Sequence, residues 1–428
     1  MEKFNIAGVD INRVSMRELF FNKTMLFAYV LLAFGTLGIY EIILERYFLL
    51  TANAFDAGLH PGSHEVALAM KEAVFGHGGE VKRESPWTLY IANYMYMIYT
   101  GSGIIFLVAL GEIFNVEIIK KTAAGFLTFG LCMVFAGLFT IVFDLNFLNM
   151  LEMFTTPNIT AGMWLMLPLY SIYIPFVMFE IYLLIAKQVK WIKSIAFVIL
   201  LLSIVIDIAE YYIQAKLFNM NTARHLWTTY PALPLYFIVS SFLAASGVMI
   251  LYSYVSYKKQ LGDSFRELLM VFKKLTLFSI VVLATYEVIA FLFIDKNWAS
   301  VILFGGFNYE FYIYALLAFV LPFSLLIYRL LKKEINHFFI IMAAISIIIG
   351  TFIGRIIFVY GGNAYPLSDR FGSGFEKYSE YDVVKEFILF FPPLSEIYIV
   401  VGSVGVIFAA YKVLDNFFGV SKIREHQK

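Results

Sequence analysis

Asp207 and Glu210 stand three residues apart in a stretch that is otherwise almost wholly apolar, Val198 to Ile213. That spacing puts both on one helix face. Two carboxylates so close disfavour double ionisation, and removal from water acts in the same direction. Such a pair suits proton exchange with a neutral organic substrate, or else simply sits solvated at a membrane surface. Arg355 is embedded in a second apolar stretch. A guanidinium cannot shed its proton, so it wants a carboxylate, and Glu287 and Glu396 are the candidates. A purely structural ion pair is the other reading. Asp144 and Glu180 complete the ionisable groups inside apolar segments. A charge in lipid is costly, so each is a functional candidate by default.

The elements that hold these residues follow from composition. Of 428 residues, 61% are hydrophobic and only 15% charged. Soluble domains average about a quarter charged, so a water-soluble globule is excluded. A bilayer core needs about 20 apolar residues per helix. Ten such stretches are present: 25–50, 87–111, 121–145, 162–186, 191–215, 231–257, 271–295, 308–330, 336–361 and 389–412. The expected fold is an all-α integral membrane protein, with a cytoplasmic segment over 1–24, a ten-helix domain over 25–412 and a cytoplasmic tail over 413–428. With the N-terminus inside, inner segments carry 21 Lys and Arg and outer segments 10, a bias every alternate loop obeys. Positive charge marks the cytoplasmic side. Asp144, Asp207, Glu210, Glu287, Arg355 and Glu396 then fall in the outer halves of their helices, and Glu180 and His337 toward the inner side. The longer loops, 51–86 and 362–388, lie outside, with a short interfacial helix expected from Ser63 to Phe75. They either dock a partner or merely cover the bundle.

Several chemistries are unsupported by the residue inventory. A net charge of +1 gives no case for nucleic acid. The single cysteine, Cys132, excludes a Cys-ligated iron–sulfur cluster held by this chain alone. Membrane haem b needs histidines inside spans. His60, His64, His77, His225 and His426 lie in loops or the tail, and His337 at a helix start. His60 and His64 have the spacing of a metal pair, but Pro61 and Gly62 between them argue for a plain loop. Trp87, Trp164, Trp227 and Trp298 sit at span ends as interface anchors would. Tyr90, Tyr94, Tyr96 and Tyr99 are denser than anchoring requires and either line a pocket for a flat ring or face lipid. Pro168 and Pro175 interrupt the fourth span and Pro231 and Pro234 open the sixth, where kinks can create a cavity.

A set of short segments carries further information. Pro86-Trp87-Thr88-Leu89-Tyr90-Ile91-Ala92-Asn93 opens the second span, and Phe143-Asp144-Leu145-Asn146-Phe147 closes the third. Pro157-Asn158 precedes Met163-Trp164, and His225-Leu226-Trp227 precedes Leu233-Pro234-Leu235. Arg355 is followed by Gly361-Gly362, and Pro393-Leu394-Ser395-Glu396 starts the last helix. In this order they resemble the membrane subunit of polysulfide reductase and its relatives, the NrfD superfamily, in its ten-helix branch. That branch includes integral subunits of some periplasmic nickel–iron hydrogenases and of alternative complex III.

The resemblance implies two four-helix bundles, about 87–215 and 231–361, with one extra helix at each end. It implies a quinone or quinol site, for menaquinone or ubiquinone, at the outer end of the first bundle. Asn93, Ser102, Asp144 and Glu210 would border it, with Trp164 and Asp207 completing the candidate set. It also implies an iron–sulfur electron-transfer subunit docked on the outer face and a larger catalytic subunit, in a bacterial or archaeal cell membrane. This sequence departs from the pattern at Ser102, at Asn146-Phe147 and in lacking a fifth-span histidine. Glu180, Glu287, Arg355 and Glu396 are candidates for proton transfer. The expected function is thus a quinone-reactive membrane subunit of a respiratory oxidoreductase, with catalysis on partner chains. The alternatives are a secondary transporter, for which Phe143-Asp144 and Ile294-Asp295 give a faint internal echo, and a non-redox anchor.

Overall fold

The computed structural model describes residues 3–43, 87–144, 154–186, 190–220, 225–294, 299–331, 336–364 and 392–423. The expected helix from Ser63 to Phe75, His60, His64, His77, His426, Asn146-Phe147, Asp295, Trp298 and most of both long loops lie outside these residues.

Among the described residues, ten helices are long and apolar enough to cross a membrane. In order they are Lys23–Ile42, Leu89–Ile113, Glu117–Asp144, Trp164–Ile185, Val198–Asn219, Leu233–Ser256, Lys258–Ile294, Asn308–Tyr328, His337–Asn363 and Leu394–Phe418, hereafter spans 1 to 10. Each coincides with one of the ten stretches expected from hydropathy. The chain is therefore a multi-pass, all-helical membrane protein. The N-terminal segment meets the end of span 10, where Asn12 donates to the Asn416 carbonyl, so both termini lie at one end of the molecule, and the opposite end is called the far end below.

Spans 2 to 5 touch in a closed circuit, 2 on 3, 3 on 4, 4 on 5 and 5 on 2. Spans 6 to 9 make a second circuit of the same kind. The two quartets meet where spans 2 and 5 pack on span 6, and span 2 on span 9. Spans 1 and 10 pair with each other, and span 10 lies against span 3. In lipid, helices associate through close packing at small residues. A Cβ on Gly35 would sit 2.9 Å from the Gly402 Cα, and one on Gly101 only 2.6 Å from the Gly130 carbonyl. Those glycines let spans 1 and 10, and spans 2 and 3, approach backbone to backbone.

Span 2 is enclosed on every side, with Leu89 to Ala109 all buried. The four tyrosines of this span therefore do not face lipid. Tyr94 turns to the first quartet, while Tyr96 meets Phe352 of span 9, ring centroids 5.2 Å apart. Trp227 also departs from the anchor expected of it. It is fully buried, donates from Nε1 to the Phe358 carbonyl at 3.0 Å and lies 4.9 Å from the Trp87 ring. The two indoles pin the quartets together at the far end.

The N-terminal segment holds an antiparallel hairpin that hydropathy did not reveal, Lys3–Ile6 with Val9–Asn12. Ala7 and Gly8, both at positive φ, make its two-residue turn. Tyr182 of span 4 donates to the Ala7 carbonyl at 2.8 Å, and Asn12 to the Asn416 carbonyl at 3.0 Å. The hairpin thus covers the termini end beside spans 4 and 10.

Candidate functional site

At the far end of the first quartet lies a cavity of about 600 Å³. Its walls come from all four helices: Trp87, Ile91 and Tyr94 of span 2, Leu138 to Asp144 of span 3, Met166 to Pro175 of span 4, and Leu217 and Phe218 of span 5. Ligand pockets typically enclose about 300–1,000 Å³ and carry a few polar groups in an apolar wall. The polar groups here are Asp144, Tyr94, Tyr170 and Ser171. Pro168 and Pro175 both lie within span 4, which forms one whole wall. Their missing N–H groups interrupt the helix hydrogen-bond ladder beside the cavity.

Tyr94 and Tyr170 tie the cavity to a buried polar cluster. Tyr170 donates from its hydroxyl to Glu210 Oε1 at 2.9 Å. Gln214 Nε2 donates to the Tyr170 hydroxyl at 2.5 Å and to the Tyr94 hydroxyl at 3.0 Å. Tyr99 donates to Gln214 Oε1 at 3.3 Å. Asp207, Glu210 and Gln214 are each 0% exposed, so the solvated reading of the acid pair fails. Ser102 lies beside Glu210 and Tyr173 beside Asp207. Glu210 Oε2, both Asp207 oxygens, the Ser102 hydroxyl and the Tyr173 hydroxyl complete no hydrogen bond among the described residues. Buried polar atoms are nearly always paired. Ser102 and Tyr173 are the polar neighbours that face the two carboxyls in this enclosed cluster behind Tyr170.

The cluster continues toward the termini end. Ser203, one turn from Asp207 on span 5, lies beside Glu180 of span 4. Glu180 in turn interacts electrostatically with Glu112, at the last turn of span 2. Acids therefore step through the first quartet from Asp144 at the far end, past Glu210 and Asp207, to Glu180 and Glu112. The sequence reading missed Gln214, Ser203, Tyr170 and Glu112. The first two had a visible signal: Ser203, Asp207, Glu210 and Gln214 recur at intervals of four, three and four, a polar stripe on an apolar helix.

The other expected residues fall elsewhere. Asn93 is fully buried but turns from the cavity, donating to Thr140 at 2.9 Å and Ser403 at 3.0 Å, so it ties span 2 to spans 3 and 10. Trp164 is half-buried and does not line the cavity. Glu396 accepts from the Thr88 hydroxyl at 2.9 Å and the Leu89 N–H at 3.2 Å, capping the start of span 2.

Glu287 and Arg355 lie in the second quartet. Glu287 accepts from the Tyr314 hydroxyl at 2.5 Å, beside a void of about 20 Å³. Such a void holds roughly one water. Arg355 is 3% exposed and makes no direct ion pair among the described residues, but it acts electrostatically on Glu287, one of the two carboxylates expected for it. It donates to the Ser240 hydroxyl at 2.6 Å, and its guanidinium lies 4.9 Å from the Tyr99 ring centroid and 5.4 Å from that of Tyr236. Aromatic faces attract a desolvated cation, and here they supply the close contacts while Glu287 supplies the more distant negative charge.

Compared with known proteins, the chain matches the family model described as polysulphide reductase, NrfD, over residues 76–366. No curated protein matches. The matched segment takes in spans 2 to 9, both quartets and the cavity, so the chain belongs to the NrfD family and is a multi-pass membrane subunit of a redox complex.

Proposed function

We propose that the first-quartet cavity binds a quinone, and that this subunit exchanges electrons with an iron–sulfur subunit docked over its far end. The observation that carries this reading is the pairing of a roomy apolar chamber with a tyrosine, Tyr170, whose hydroxyl joins the chamber to buried Glu210. A quinone ring needs flat apolar walls and a few polar groups for its two oxygens. Trp87, Ile91, Ile174 and Phe218 supply the first. Tyr94, Tyr170 and Asp144 supply the second.

Oxidation of a quinol releases two electrons and two protons. The chain offers buried carboxyls for the protons: Glu210, reached through Tyr170, and then Asp207. Carboxyls removed from water are common proton carriers in membranes. The electrons leave to a metal centre held by a companion chain, and a larger catalytic subunit completes the reaction on the terminal substrate. For quinone reduction every arrow reverses. The charge bias of the loops supports the far end as the outer face, and in that orientation Ser203, Glu180 and Glu112 lead from the site toward the cytoplasm.

The test is Asp144→Asn in the complex purified with its partners. Quinone-linked turnover is expected to be lost while assembly and bound iron–sulfur signals persist. Normal turnover would remove Asp144 from the site. Absence of both quinone and iron–sulfur spectra from the wild-type complex would favour the transporter or anchor alternatives.

A further inference from the structure

The N-terminal hairpin has a face that the helices cover only in part. Side chains alternate across a strand, and the register pairs Phe4 with Ile11 and Ile6 with Val9. These four therefore share one face. Val9 is buried in one cluster with Ala124 of span 3, Ile185 of span 4 and Val420, and Ile11 packs against that cluster. Ala124 lies about two turns inside span 3, so this face looks into the membrane. Phe4 and Ile6 carry the same face outward and are 56% and 61% exposed. On the opposite face Asn5 donates from Nδ2 to Asp10 Oδ1 at 2.9 Å. Val9–Asn12 is the strand that packs on span 10, and Lys3–Ile6 lies outboard of it. The outer strand thus overhangs the rim of the bundle with its apolar side toward the bilayer.

A short helix, Met16–Phe20, repeats the pattern further along the chain. Ser15 and Glu18 form a capping box that satisfies its first N–H groups. Leu19 is buried, while Met16, Phe20 and Phe21 are exposed. Span 1 begins at Lys23, so the chain itself places these side chains at the membrane surface. Lys3, Arg17 and Lys23 are exposed among them. Large apolar residues on an outer strand are a hazard in water. Basic residues interleaved with apolar ones are what an element lying in the interface carries. The iron–sulfur subunit proposed above docks at the far end, so it leaves this surface uncovered.

From this we infer that residues 3–23 form an interfacial anchor for anionic lipid. Phe4, Ile6, Met16, Phe20 and Phe21 sit at the boundary of headgroups and acyl chains, and Lys3, Arg17 and Lys23 meet the lipid phosphates. The partner is a phospholipid of net negative charge. Apolar contact sets the depth of the segment, and the cations set its preference for anionic headgroups. In the orientation given by the loop charges this is the cytoplasmic leaflet, whose surface is negative.

The experiment uses the full-length chain in lipid nanodiscs. Its single cysteine, Cys132, is buried, so one introduced cysteine can carry a fluorophore alone. Phe4→Cys and Ile6→Cys report the apolar face and Asn5→Cys the opposite one. All three positions are exposed, so the fold tolerates the change. In phosphatidylglycerol discs, lipids spin-labelled near the top of the acyl chain should quench most of the emission from Phe4→Cys and Ile6→Cys. The label on Asn5→Cys should instead be quenched by aqueous iodide. Lipid quenching should weaken in phosphatidylcholine discs, at high salt, and when Lys3→Glu and Arg17→Glu are combined. Iodide quenching of all three labels would put the strand in water. Protection of the apolar-face labels from both quenchers would mean that protein covers them. Equal lipid quenching in the two kinds of disc would remove the preference for anionic lipid. Any of these three results overturns the anchor.

Discussion

Each quartet of helices buries a glutamate that accepts a hydrogen bond from a tyrosine, Glu210 from Tyr170 and Glu287 from Tyr314. Tyr170 of the first pair lines a chamber of about 600 Å³ with Glu210 behind it, and beside the second pair lies a void of about 20 Å³. The chemistry at the two points is similar and the space is not. Span 4 carries Pro168 and Pro175 within the wall of the chamber. Span 8 is drawn tightly onto span 9 by glycines. A Cβ on Gly350 would come within 2.5 Å of the Ala318 nitrogen, and one on Gly354 within 2.7 Å of the Tyr314 ring. Backbone chemistry one helix away goes with whether a buried acid lies behind a substrate-sized chamber or beside a single water. On the function proposed above, the first quartet admits a ligand, and the second holds a charge in place.

Exchanging the two acids is the sharpest way to break this contrast. Glu210→Gln should slow quinone-linked turnover by roughly a hundredfold or more, as loss of a positioned proton acceptor does. Glu287→Gln should leave quinone affinity unchanged, as measured by titration of the purified complex. Equal loss of quinone affinity in both would erase the distinction. Glu180→Gln should have an intermediate effect, slowing turnover about tenfold in sealed vesicles without changing KM for the quinol. A raised KM would move Glu180 into the binding site and off the proton route.

Smaller effects are expected on stability. Gly354→Ala pushes a methyl group into the Tyr314 ring, and such overpacking typically costs about 1–3 kcal/mol. A lowered melting midpoint with quinone affinity intact would fit a second quartet that is packed rather than open. Arg355→Lys keeps the charge but loses the flat stack on Tyr99 and Tyr236. Its expected cost is about 1 kcal/mol, seen as a small fall in the same midpoint. No change would mean that charge alone, and not stacking, holds Arg355.

Much of this architecture was legible in the sequence. Ten spans could be read because a helix in lipid must be apolar along its whole length. Asp207 and Glu210 stood out because carboxylates there are rare. Azimuth was the hidden quantity. A span apolar all round gives no pattern telling which face meets protein, so Asn93 could not be distinguished from a cavity residue, nor Trp227 from an interface anchor. The partners of Arg355 were hidden for a related reason. The aromatic faces of Tyr99 and Tyr236 carry no formal charge, so a search for its counter-ion found Glu287, which it acts on electrostatically, but not the rings that touch it. The N-terminal hairpin is too short for its alternation to register, and its Ala7-Gly8 turn lacks the usual asparagine or aspartate.

The most direct test of the quinone assignment is photoaffinity labelling of the intact complex with a ring-substituted azidoquinone, followed by mapping of the labelled peptides. Label is expected on Tyr94, Met166 and Tyr170, competed away by excess unmodified quinone. Competable label confined to peptides around Glu287 and Tyr314, or none in spans 2 to 5, would place the quinone outside the first quartet.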